Sequence, residues 1–303
     1  MKYVVSRMTL LLAVGVMMII GCTKSSTGPD EQAATYQQEV IELTQNEEAD
    51  YFSFDDLIED DTFDGGGMGL DDVDTAIVPL RWGRFARTTS YTREAIADSL
   101  TPDTVRVTVT RTVTGVFRII TSTDTIDKPF TDVYRRNGVF HRVAHTRHRH
   151  LNWRLVRISA IEGQTQNNSA VDIATVTWYR KGTNETDWTQ IGQVTDPLAY
   201  WHLRDVLPVY YPGDSLKVEV AMPVGTEYYG QLHYRPWRSH DRHRTPFVAA
   251  SSNVFTATGT IPSGIRGSEK RQIFVDFMTN GTLFDDAEPY AANAWGLLYR
   301  VSQ

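Results

Sequence analysis

The chain has 303 residues, 41% hydrophobic and 22% charged, with a formal net charge of −7 and a single cysteine. That balance excludes a low-complexity or disordered chain, and a lone cysteine excludes a disulfide framework or a cysteine-built zinc site. The charge is unevenly spread. Residues 30–75 hold 16 acidic and no basic residues, while residues 76–303 hold 21 acidic and 27 basic, so an acidic arm is expected on a mildly basic body.

In chain order, Lys2 and Arg7 precede an uncharged, mostly apolar run from Met8 to Ile20, followed by Gly21 and Cys22. A basic start, a short apolar stretch and a small residue before a cut form the pattern of a secretory signal. The 13 residues of the run fall short of the ~20 that span a bilayer as a helix. Ile19-Ile20-Gly21-Cys22 resembles the lipobox of bacterial lipoproteins. The resemblance implies that residues 1–21 are a signal peptide and that Cys22 becomes an acylated first residue. It also implies that Thr23, in place of Asp, favours the outer membrane. Two or more acyl chains, at ~0.8 kcal/mol per buried methylene, anchor stably where one does not.

Residues 22–78 then read as a tether and a partly helical acidic arm. Thr23 to Pro29 is a small polar spacer. Tyr36, Val40 and Leu43 fall on one face of a helix expected over 32–48. A second helical turn is expected over 53–60, with Ser53 as cap and Phe54, Leu57 and Ile58 on one side. Gly65-Gly66-Gly67 and Gly69 end it.

Residues 79–162 form a first β-rich module. From Thr104 to Ile120 the chain alternates, with Val105, Val107, Val109, Val113, Phe117 and Ile119 on one face and mostly Thr and Arg on the other, the signature of a half-buried antiparallel strand. At ~3.3 Å per residue it would run about 56 Å, so a bend or bulge is expected near Gly115. Asn137-Gly138 signals a two-residue hairpin between 133–136 and 139–141, and residues 152–159 supply another strand. Helices followed by long bent strands resemble the cone-shaped NTF2-like α+β fold, which is the alternative architecture for this module and implies a ligand pocket or hydrolytic activity.

A polar linker is expected from Glu162 to Ala170, and residues 163–303 form a second module. Its strands are expected at 171–179, 216–220, 254–258, 273–277 and 294–301, with turns at Pro212-Gly213-Asp214 and Asn280-Gly281. Short strands separated by turns resemble an immunoglobulin-like sandwich. The fold class is therefore mainly β: two antiparallel β-rich modules, with the short N-terminal helical segment packed on the first.

Several residues suggest chemistry. Gly213-Asp214-Ser215-Leu216 matches the four-residue motif of GDSL-type ester hydrolases. Here it follows a Pro-Gly turn, enters an alternating strand and precedes no Asp-x-x-His, so no base is positioned for the serine. Residues 60–71 echo an EF-hand loop but place Asp71, not Glu, at the twelfth position. His141, His145, His148 and His150 lie among arginines, which repel a cation. A basic binding patch is expected at Arg135, Arg136, Arg142, Arg147 and Arg149, suited to polysaccharide or another envelope protein rather than to nucleic acid. Trp201, Tyr229 and Trp237 are candidates for stacking on sugar rings. The chain is expected to be a non-catalytic, lipid-anchored envelope protein without a cofactor.

Overall fold

A computed structural model of the protein describes residues 29–54, 63–64, 77–101, 103–148, 151–199, 201–202, 207–225, 227–234, 243–261 and 269–302. It is mainly β, with two sheets that are antiparallel apart from one parallel pair. The first half holds helix α1 (Pro29–Gln45), then β1 (Phe63–Asp64), β2 (Arg81–Ala97), β3 (Thr104–Ile120), β4 (Thr125–Arg142), β5 (Trp153–Ile158) and β6 (Ile161–Thr165). Next come β7 (Thr175–Lys181), β8 (Thr189–Val194), β9 (Trp201–His202), β10 (Val209–Tyr210), β11 (Ser215–Ala221) and β12 (Tyr228–Tyr234). The chain continues through β13 (His243–Pro246), β14 (Val248–Ala249), β15 (Val254–Thr260), β16 (Glu269–Thr279), the short helix α2 (Asn280–Phe284) and β17 (Ala292–Val301).

The large sheet runs β1-β2-β3-β4-β6-β17-β16-β12-β13, and the small one runs β14-β15-β11-β7-β8. The large sheet thus takes strands from both sides of residue 162. The join is β6, which overlaps the start of the stretch expected to be a linker and pairs with β4 on one side and β17 on the other.

Strand β3 is long because valine alternates with Thr and Arg along it, and two tight turns return the chain so that β2 and β4 pair along its whole length. At one turn the Asp98 carboxylate accepts from the Leu100 amide at 3.0 Å; at the other, Thr121 Oγ1 accepts from the Asp124 amide at 2.9 Å. The irregularity expected near Gly115 falls on its partner strand: the β2–β3 register shifts between Ala86 and Thr88, leaving Arg87 as the extra residue. A Cβ on Gly115 would stand 2.2 Å from the Phe85 carbonyl oxygen, so only glycine lets the bulged strand approach.

Asn137-Gly138 makes no hairpin; both residues sit inside β4, paired with Thr108 and Val107. The physical reason is tertiary. A Cβ at Gly138 would lie 2.6 Å from the Phe52 ring, while Asn137 Oδ1 accepts from Thr108 Oγ1 at 2.9 Å. Asn280-Gly281 is likewise not a plain turn but the start of α2. Thr279 caps that helix, and Lys128 Nζ donates to the carbonyls of Gly281 and Thr282 at 3.0 and 2.7 Å.

Alternate residues of β16 and β17 enter two different cores. Phe274, Met278, Ala294 and Leu298 join the core beneath β2–β5. Ile273, Val275, Phe277, Trp295, Leu297 and Tyr299 meet Trp178, Leu216, Val218 and Val220 of the small sheet. These two strands are therefore the shared wall of a β-sandwich and of a curled half-sheet. On the curled side α1 fills the concavity, with Tyr36, Val40 and Leu43 buried as the i, i+4, i+7 pattern requires. The helix begins at Pro29, three residues ahead of its expected start, and Phe52 and Phe54 follow it into the same core. Of the second expected turn, residues 55–60 lie outside the described residues.

Burying one such apolar side chain gains ~1.5–3 kcal/mol, against ~0–1 kcal/mol for an exposed ion pair. Limited proteolysis under native conditions should therefore spare residues 36–52 even at 1 M salt. Rapid cutting inside that stretch would show that the helix is not docked.

Candidate functional site

The inward face of β4 reads Lys128, Phe130, Asp132, Tyr134, Arg136, Gly138, Phe140, so period-2 alternation carries three charged residues into the core. Asp132 accepts from three hydroxyls: Thr165 of β6 at 2.9 Å, Tyr134 at 3.2 Å and Tyr290, ahead of β17, at 3.1 Å. The Tyr290 hydroxyl in turn accepts from Arg84 Nε of β2. Arg84 then grips Asp276 of β16 with both terminal nitrogens, at 2.5 and 2.8 Å, and His233 Nε2 of β12 lies 3.5 Å from the same carboxylate. Arg84, Asp132, Asp276 and Tyr290 are each 2% exposed. β2 and β16 are five steps apart in the sheet order, so this pair bridges the curl from one limb to the other.

The two carboxylates differ. Burial pushes Asp276 up, but the Arg84 guanidinium, backed by His233, more than offsets it and holds the carboxyl far below the usual range. At Asp132 burial wins over Arg84 and the hydroxyls of Thr165 and Tyr290, and its affinity for a proton is raised. Burial also drives the Tyr290 phenol well above its ordinary value.

A cleft of about 430 Å³ opens over this network, bordered by Thr114, Thr131, Gln166, Asn167, Pro289 and Tyr290. That is the size of a small-ligand site, and among the described residues none of those lining it is charged. Its rim is held by the Gln166 amide on the Thr131 carbonyl at 2.7 Å and by Asn168 Nδ2 on the Tyr290 carbonyl at 3.1 Å. Asn167 adopts φ 61°, a left-handed conformation asparagine tolerates better than most residues. A second cleft, of about 530 Å³, lies at the end of the small sheet beside Lys181, Trp188 and Ser215.

Among the described residues, the arginines of the expected basic patch do not share one face. Arg135 and Arg147 are exposed, but neighbouring strand residues point to opposite faces, so Arg136 is fully buried. There Arg136 donates to the Tyr51 carbonyl at 2.5 Å, and burial pulls its guanidinium down to about 9, which leaves it protonated at neutral pH. Arg142 is half-buried, its guanidinium 4.2 Å from the Tyr36 ring and 5.9 Å from that of Trp153, so it seats α1 rather than facing solvent.

Arg149, Trp237, Cys22 and the side chain of Trp201 lie outside the described residues. Tyr229 is no exposed platform: its ring meets Trp82 edge-on at 5.7 Å across the curl. Most of the loop at 60–71, and His150, also fall outside the described residues; among those described, no group of three metal-ligating side chains occurs. Ser215 opens β11 after a turn in which Asp214 Oδ2 accepts from the Tyr211 amide at 2.8 Å, with Gly213 at φ 90°.

Arg84, His233, Asp276 and Tyr290 escaped sequence reasoning. The available signal was a lone acid among core residues: Asp132 in phase with Phe130 and Tyr134, and Asp276 between Val275 and Phe277.

Comparison with family models, with curated proteins and with solved structures returned no match.

Proposed function

We propose that this chain is a non-catalytic, lipid-anchored protein of the cell envelope, held at the outer membrane through Cys22 and acting by binding a polysaccharide or another envelope protein. The observation that carries the anchor is the run ending Ile19-Ile20-Gly21-Cys22 in a chain with no other cysteine. The binding role is supported by the chemistry under the first cleft. There Asp132 and Asp276 are buried, engaged by hydroxyls and by a guanidinium, and neither is among the residues that line the cleft, so neither meets a ligand bound in it. The cleft itself offers hydroxyls and amides, groups that hold a ligand without transforming it.

Detergent phase partitioning tests the anchor. The natural chain should enter the detergent phase and the Cys22→Ala variant the aqueous phase, because this one residue is the attachment point of the whole anchor. Equal retention of the two proteins would refute lipidation at this residue.

A further inference from the structure

The second cleft differs from the first in carrying a lysine with no carboxylate partner among the described residues. Register places Ser215, the first residue of β11, opposite Lys181 of β7 on one side and Thr260 of β15 on the other. The next row holds Tyr179, Lys217 and Thr258. Trp188, just ahead of β8, is half-buried at this corner, with Lys181 Nζ 5.0 Å and Lys217 Nζ 5.5 Å from its ring centroid. Tyr234 of β12 lines the opposite wall.

The cations here are not equivalent. Lys217 Nζ donates to Glu219 Oε1 at 2.8 Å, and Arg180 lies 3.7 Å from Asp214 and 3.5 Å from Glu185. Lys181 alone of the three has no carboxylate partner among the described residues. A row of hydroxyls, an indole and an unneutralised ammonium thus share a cleft of about 530 Å³.

We propose that this cleft binds an anionic saccharide, with a sugar ring against Trp188, its carboxylate on Lys181 and its hydroxyls on Ser215, Thr258 and Thr260. A sugar has an apolar C–H face that matches an aromatic ring and a hydroxylated rim that matches serine and threonine. The carboxylate follows from Lys181, whose charge-assisted hydrogen bond is stronger than a neutral one. A lipid tail would need an apolar rim, and the residues beside Trp188 are hydroxyls and an amine. The proposal rests on the chain being a binding protein, but it does not depend on Cys22 or on the anchor.

Titration calorimetry on the full chain in detergent tests it, with an oligogalacturonate and a neutral gluco-oligosaccharide of equal length as probes. The wild type should bind the uronate chain roughly tenfold more tightly, the worth of one charged hydrogen bond, and that preference should shrink as salt is raised. Lys181→Gln should level the two affinities without abolishing them, and Trp188→Ala should weaken both. Absence of binding, equal affinity for the two chains in the wild type, or indifference to both substitutions would overturn the proposal. So would full displacement by inorganic phosphate at matched ionic strength, which would mark a point-charge site with no sugar recognition. A chain that binds uronate yet partitions into the aqueous phase would refute the anchor and leave this site standing.

Discussion

Asp276→Asn should cost about 3–5 kcal/mol of folding stability, because it leaves a buried guanidinium without its counter-charge. Arg84 is 2% exposed and makes its two shortest carboxylate contacts with Asp276, at 2.5 and 2.8 Å, whereas Asp132 is 3.9 Å away. The expense lies in the orphaned charge more than in the lost attraction. The double variant Arg84→Met, Asp276→Leu should therefore recover most of the loss, since apolar residues of similar volume avoid the desolvation of both ions. Recovery should be incomplete, because Tyr290 and His233 each lose a partner. Urea unfolding monitored by far-UV circular dichroism measures both variants. A single-variant loss under 1 kcal/mol would mean that the network is slack.

The same pair sets a pH dependence. The Asp276 carboxyl is held well below its unfolded value, so its contribution is complete above about pH 4 and fades as pH falls further, when only the unfolded chain takes up the proton. Asp132, raised in the fold, has the opposite sign: stability gains as pH falls through its raised value. The acid-side decline should be shallower in the double variant, which lacks Asp276.

Trp295→Ala should also cost about 3–5 kcal/mol, the usual range for truncating a buried large aromatic. Trp295 is 3% exposed on β17 and faces the small sheet, while its neighbours Ala294 and Gly296 face the core beneath β2–β5. Damage on one side of that wall should therefore destabilise the whole protein. Unfolding of the variant, followed by far-UV and near-UV circular dichroism, should give coincident transitions at a lower midpoint. Two separated transitions would show that the sandwich melts without the curled half-sheet, contrary to a shared wall.

How legible the fold was in the residues depended on how local its causes were. β3 spans 104–120 as its alternating valines demand, and α1 buries the stripe its spacing marks. Asn137-Gly138 misled because turn propensity is a local preference, and here the need for close approach to Phe52 outweighed it. β6 was hidden by its polarity: Ile-Glu-Gly-Gln-Thr looks like linker until Tyr134 is seen lying over Gly163, where a Cβ would be 2.3 Å from the ring. The same cross-strand device recurs where Phe274 faces Gly296 and Phe277 faces Gly230. The buried network was out of reach for another reason. Arg84 and Asp276 are 192 residues apart in sequence, and each looks ordinary until topology brings them together.

β17 joins β6 to β16 and backs both cores, with Gly296 paired to Ile161. Neither core can close before that strand arrives, so the contacts that reward folding are separated by most of the chain. Folding dominated by such distant pairings is slow, on the order of milliseconds to seconds for β proteins. A chain proposed to cross a membrane before it folds gains from this delay: a polypeptide whose central strand arrives last stays threadable through its passage and then locks as one unit on the far side.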